Sequence, residues 1–140
     1  MIPNFQDGEM ILTDKISYRF SQPKRGDVII FQSPTIGKDL IKRVIGLPGE
    51  TISIENGEVK INGNLLMEAY ISIETPPGTF LTEGQKYTIP ANDYIVLGDN
   101  RSNSLDSKEW GPLEKKDIIG RAWLVYWPPR KISFVPSVNY

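Results

Sequence analysis

Thr51-Ile52-Ser53-Ile54 and Glu58-Val59-Lys60-Ile61 each alternate polar with apolar residues, and Asn56-Gly57 stands between them. Alternation at period two describes a strand with one buried face, and Asn-Gly accepts the positive φ angles of a tight hairpin turn. That commits the middle of the chain to antiparallel β structure. Asn62-Gly63 makes a second turn directly after it. Four apolar runs read as further strands: Asp27–Phe31, Leu40–Ile45, Tyr94–Leu97 and Gly120–Trp127. Each is bounded by turn residues, such as Gly46-Leu47-Pro48-Gly49 and Pro128-Pro129. No segment has helical periodicity, although Leu113–Ile118 has room for one short turn of helix. With 11 Pro and 12 Gly in 140 residues, the chain reads as one all-β domain of antiparallel sheets. A small loop-rich insertion is expected at about 62–90, most irregular from Leu65 to Tyr87 around Pro76-Pro77-Gly78.

The chain has no histidine and no cysteine, which excludes a Ser-His-Asp triad, cysteine nucleophiles, disulfides and thiolate metal sites. Ser, Thr, Lys, Tyr and carboxylates remain for chemistry, and neither a metal nor a cofactor is expected. A net charge of -1, with basic residues dispersed among acids, gives no basis for nucleic-acid binding. No apolar stretch approaches the roughly 20 residues of a membrane-spanning helix.

Lys42 lies inside the apolar run Leu40–Ile45. In strand alternation it shares a face with Leu40 and Val44. Two readings are open. The stem packs while the ammonium reaches water, or burial lowers the pKa until the amine works as a base. Arg43 points the other way, between Ile41 and Ile45, and should need a carboxylate partner because it cannot be neutralised. Downstream, Leu97–Lys108 follows a strand and is dense in hydrogen-bonding side chains. It reads either as a functional loop carried on a strand or as a plain turn-rich surface loop.

Lys42-Arg43-Val44-Ile45-Gly46-Leu47-Pro48-Gly49-Glu50 and Gly98-Asp99-Asn100-Arg101, continuing through Ser104, Asp106 and Ser107, resemble two signature boxes of the type I signal peptidases. Lys24-Arg25-Gly26-Asp27-Val28-Ile29-Ile30-Phe31 resembles a third, and Gly120-Arg121-Ala122 and Trp127-Pro128 match the family's last strand. The resemblance is collinear over nearly the whole chain. It implies the coiled antiparallel β-sheets of that family, here 1–140 as one catalytic domain. It also implies a serine endopeptidase that removes signal peptides from exported preproteins by a Ser/Lys dyad.

In this resemblance Lys42 is the general base, and Ser104 is the serine whose hydroxyl orients it. Asp99 is the partner of Arg43, and Asp106 helps to hold the site loop. The arginine that usually pairs with that aspartate is replaced by Lys108, so any pairing there should lose bidentate geometry. Met1, Ile2, Phe5, Ile30, Leu40 and Ile41 match positions that line shallow pockets for small signal-peptide residues, and ordinary core packing accounts for them equally well. The substrate would lie extended as an added strand beside Lys42. Trp110, Trp123, Tyr126 and Trp127 are either a membrane-facing surface or core aromatics.

Met1 aligns with the methionine that follows the family's catalytic serine, and Asn4 stands where threonine is usual. The sequence therefore reads as truncated just after the nucleophile. The serine and membrane anchor are expected ahead of it, and the chain as given should be inactive. The expected setting is the plasma membrane, with the domain on the extracytoplasmic side. Signal peptides and the membrane surface are the implied partners. Competing readings are a non-catalytic β module that binds extended peptides, a self-cleaving repressor-type Ser/Lys protease, and a carboxylate hydrolase using Asp99 and Asp106.

Overall fold

The computed structural model describes residues 1, 8–136, 138 and 140. Its elements run β1 (Met10–Asp14), α1 (Ser17–Phe20), β2 (Val28–Gln32), β3 (Asp39–Gly46), β4 (Thr51–Glu55), β5 (Glu58–Ile61), β6 (Asn64–Leu65), β7 (Tyr87–Thr88), β8 (Asp93–Leu97), α2 (Ser107–Trp110), β9 (Leu113–Glu114), β10 (Ile118–Trp127) and β11 (Ser133–Phe134). The main sheet has the order β1-β10-β2-β3-β8-β9, with β11 also paired to β10. A smaller sheet has the order β6-β5-β4-β7. All the ladders between these strands are antiparallel.

Asn56 and Gly57 take φ angles of 52° and 79°, and β4 and β5 pair across them from Ile52↔Ile61 to Glu55↔Glu58. Those φ values suit the right-handed twist of the two strands. The segment expected to be a loop-rich insertion closes the small sheet at both ends, through β6 and β7. Leu113–Ile118 forms a short strand and one turn of 3-10 helix at Lys115–Asp117.

The core has three parts. Ile45, Ile52, Ile54, Ile89, Ile95 and Leu97 pack between the two sheets. On the other face of the main sheet, Ile29, Phe31, Val44, Tyr94, Val96 and Leu113 pack together, with Leu40 and Trp110 against them. Val28, Ala122 and Val125 form a third group that gathers Met1, Ile30 and Ile41. Trp110 is thus a core aromatic, its ring 5.9 Å from that of Phe31.

β3 carries the site because its two edges differ. One edge pairs with β2 along the whole run from Asp39 to Arg43. The other pairs with β8 only from Arg43 to Gly46. Among the described residues, Asp39–Lys42 therefore presents a strand edge with no ladder partner. Beyond Gly46 the chain is pinned by Arg25, which donates to both carboxylate oxygens of Glu50 and to the carbonyl of Ile45. Glu50 also accepts from the amide of Leu47, which closes the Pro48-Gly49 turn.

Candidate active site

Lys42 and Arg43 leave β3 on opposite faces, and each meets one part of the loop after β8. Arg43 and Asp99 are fully buried. Arg43 Nε donates to Asp99 Oδ1 at 3.0 Å and Nη2 donates to Oδ2 at 2.9 Å. Its third nitrogen donates to the carbonyl of Gly26, and the Tyr70 ring lies 4.4 Å from the guanidinium carbon. A planar fork matched to a carboxylate is the geometry in which a buried ion pair holds a register most firmly.

Lys42 is half-buried. Burial pushes its ammonium below the ordinary lysine value of 10.5. Asp106 opposes that shift, Lys108 adds to it and Asp99 opposes it again. Lys42 makes no ion pair among the described residues, so loss of solvent decides the direction.

Gly98 brings Lys42 and Ser104 together. A Cβ placed on Gly98 would stand 2.0 Å from Ser104 Oγ and 3.5 Å from Lys42 Nζ. The two polar groups share the space over this backbone. Ser104 Oγ is buried and has no hydrogen-bond partner among the described residues. A buried hydroxyl without a partner is uncommon and costs of order 1–3 kcal/mol.

The loop itself is braced from two directions. Asp106 Oδ2 accepts from the amide of Gly98 at 2.9 Å, and Oδ1 accepts from the amide of Lys108, capping α2. Lys108 Nζ sits 3.1 Å from both Asp106 oxygens, so one ammonium bridges the carboxylate in place of two parallel guanidinium bonds. Ser107 Oγ accepts from the amide of Val96.

Sequence reasoning gave no role to Arg101, Glu68, Tyr70 or Thr75. Arg101 is buried and donates to the Gly98 carbonyl, to Thr75, to Tyr70 and to both oxygens of Glu68. Glu68, Tyr70 and Thr75 lie in the segment read as irregular. The amides of Phe80 and Leu81 reach the Lys108 carbonyl from the same segment. Arg101 carried the one available signal, since a second cation that cannot be neutralised demands an acid somewhere.

Of the residues proposed to line substrate pockets, Met1, Ile30 and Ile41 lie in one cluster, on the Arg43 side of β3. Leu40 packs on the other face, beside Val44. Ile2 and Phe5 lie outside the described residues. Trp123, Tyr126 and Trp127 are each exposed. Among the described residues no group of three or more carboxylates is arranged to hold a metal.

The family model for signal peptidase, peptidase S26, matches residues 1–127. The chain belongs to the signal peptidase family, peptidase S26. It is 41% identical to a signal peptidase I of Leptolyngbya laminosa over 95% of its own length and 67% of that protein's. It is 36% identical to a probable signal peptidase I-2 of Synechocystis over 96% of its length and 62% of the relative's, so it spans about two thirds of these proteins. The crystal structure of a signal peptidase I from Enterococcus faecalis V583 matches 72% of the chain and 97% of that structure, at 32% identity and a TM-score of 0.59. Membership of this family agrees with the all-β architecture of antiparallel sheets.

The crowding over Gly98 leads to a direct expectation for this family member. Gly98→Ala should push Ser104 aside, with Lys42 Nζ at ordinary contact distance, and cost about 1–3 kcal/mol of stability as overpacking. Urea unfolding measures the loss. The double variant Gly98→Ala/Ser104→Gly removes the obstructing side chain and should recover most of it. A Gly98→Ala protein as stable as the parent would contradict the packing described.

Proposed function

We propose that this chain is the catalytic β domain of a serine endopeptidase that cleaves signal peptides from exported preproteins, with Lys42 as the general base of a Ser/Lys dyad. The observation that carries the reading is the site over Gly98. There, a lysine whose pKa is lowered by burial stands beside a buried serine hydroxyl that has no hydrogen-bond partner among the described residues. The nucleophile in this proposal is a serine hydroxyl delivered from directly ahead of Met1. Met1 and Ile41, the neighbour of Lys42 on β3, pack against the same cluster of Val28, Ala122 and Val125, which supports that placement.

Neutral Lys42 takes the hydroxyl proton as the oxygen attacks the scissile carbonyl. The resulting ammonium gives that proton to the leaving amine when the C–N bond breaks. Lys42 then takes a proton from the water that hydrolyses the acyl-enzyme ester. Ser104 Oγ makes no hydrogen bond to Nζ in the resting structure, and in this proposal it turns to Nζ to steady it through these changes of charge. Asp99 and Asp106 act at one remove, by holding Arg43 and Gly98. The signal peptide adds as a strand along the unpaired Asp39–Lys42 edge. Shallow apolar ground around Met1, Ile30 and Ile41 selects its small residues, with Leu40 supporting the lysine face.

No helix among the described residues is long and apolar enough to cross a membrane. The domain is proposed to work at the extracytoplasmic membrane surface, which exposed Trp123, Tyr126 and Trp127 would meet.

The test is a pH–rate profile for the chain carrying a serine directly before Met1, with a signal-peptide substrate. kcat/KM should rise with pH as Lys42 loses its proton and level off below 10.5, the ordinary lysine value. A rise centred at or above 10.5, or no turnover at any pH, would refute the base assignment. The sign for stability follows from the same shift. Between the folded value and 10.5 the unfolded chain holds a proton that the folded one lacks, so this group makes the fold more stable as pH rises there.

A further inference from the structure

Away from the site, a recess of about 320 Å³ opens beside α1, and its charged lining is all basic: Lys15, Arg19 and Lys115. None of the three has an ion-pair partner among the described residues. Two of the nearby acids are engaged, while Asp93 shares an adjoining hollow with Lys115 and does not line this one. Asp14 accepts from Ser17 and from the amide of Ile16, and Glu114 pairs with Lys116. Lys15 and Arg19 are exposed and Lys115 half-exposed, so water carries their charges, and the three together present a local positive field open to an anion.

Bare apolar residues directly follow Lys15 and Arg19 in the chain. Ile16 and Phe20 stand one helical turn apart and are 65% and 87% exposed. An adjoining hollow joins Lys15 and Ile16 to Trp123. The Trp123 ring stacks on that of Phe134, which is itself exposed. Cations whose neighbours are bare isoleucine, phenylalanine and tryptophan suit a boundary between charged headgroups and acyl chains. A soluble phosphate would leave those apolar groups in water, and a net charge of -1 disfavours a polyanion such as nucleic acid.

We propose that the recess binds the phosphodiester of an anionic phospholipid headgroup while Ile16, Phe20 and Trp123 enter the interface. The inference rests on the membrane-surface part of the proposed function and is independent of the Ser/Lys chemistry.

Vesicle co-sedimentation tests it, with phosphatidylcholine alone against phosphatidylcholine mixed with phosphatidylglycerol. Partition of the parent should rise with phosphatidylglycerol, and high salt should remove the rise. Each of Lys15→Gln, Arg19→Gln and Lys115→Gln should weaken binding to the mixed vesicles about fivefold, and the triple variant about a hundredfold. Binding to phosphatidylcholine alone should not change. Melting curves establish that the variants stay folded, since these side chains lie outside the core. Equal partition of parent and triple variant on mixed vesicles would overturn the headgroup site while leaving a membrane contact through the aromatics intact. Absence of partition on either vesicle would overturn both. Amide shifts at Lys15, Arg19 and Lys115 that saturate with inorganic phosphate alone, without any lipid dependence of partition, would make this a free-anion site and overturn the lipid assignment.

Discussion

Replacing Lys42 with alanine is expected to lower peptide cleavage by at least about a thousandfold in the serine-bearing chain, with little loss of fold stability. The chain has no histidine, and the carboxylates described near Gly98 are already engaged. Asp106 is committed to the Gly98 amide, the Lys108 amide and the Lys108 ammonium, and Asp99 is committed to Arg43. The fold should tolerate the change because it removes a poorly solvated charge from a half-buried position. Lys42→Arg sharpens the test. Arginine keeps the charge and much of the stem but does not release its proton, so it should be as inactive as alanine if Lys42 is a base. If Lys42 acted only through its charge, the arginine variant would retain much of the activity. Steady-state cleavage of a signal-peptide substrate by the parent and both variants decides the matter. Activity of the alanine variant within about tenfold of the parent would remove the Ser/Lys mechanism.

The parts of this molecule that were legible beforehand are those specified by neighbours in sequence. The Thr51–Ile61 hairpin is written in eight alternating polar and apolar positions and an Asn-Gly pair, and local φ preference alone selects its turn. Strands β2, β3, β8 and β10 are apolar runs ended by Gly and Pro. The need of Arg43 for an acid follows from its permanent charge. The clamp on Arg101 was not legible, because its acid lies 33 residues away in a segment with no periodicity. Residues 66–86 keep their place mainly by tertiary contacts such as Thr75 to Arg101 and Phe80 to Lys108, and such contacts leave no repeat in the sequence. Trp110 was ambiguous for a related reason. It ends a four-residue helix whose direction is set by the Asp106 cap, and one turn is too short for an apolar stripe to show which way it faces.

Asp99→Asn should destabilise the domain by about 3–5 kcal/mol, lowering Tm by roughly 10–17 °C. The amide keeps the volume of the carboxylate and removes its charge, leaving the buried Arg43 guanidinium with the Gly26 carbonyl and the Tyr70 ring as its neighbours. Most of the loss is the cost of an uncompensated charge, which a second variant can separate from the value of the pair itself. Arg43→Met/Asp99→Leu removes both charges and replaces them with apolar volume, so it should regain much of the stability. It should not regain activity. Lys42 is the chain neighbour of Arg43 and Gly98 that of Asp99, so the fork between Arg43 and Asp99 sets the position of the lysine amine over the glycine. With the fork replaced by side chains that have no directional bond, that position is no longer fixed, and kcat should fall further than KM rises. Urea unfolding of the three proteins, with kcat and KM measured in parallel, tests both halves. Asp99→Asn within about 1 kcal/mol of the parent would show that the pair contributes little. A double variant with parental kcat would show that it stabilises the fold without positioning Lys42.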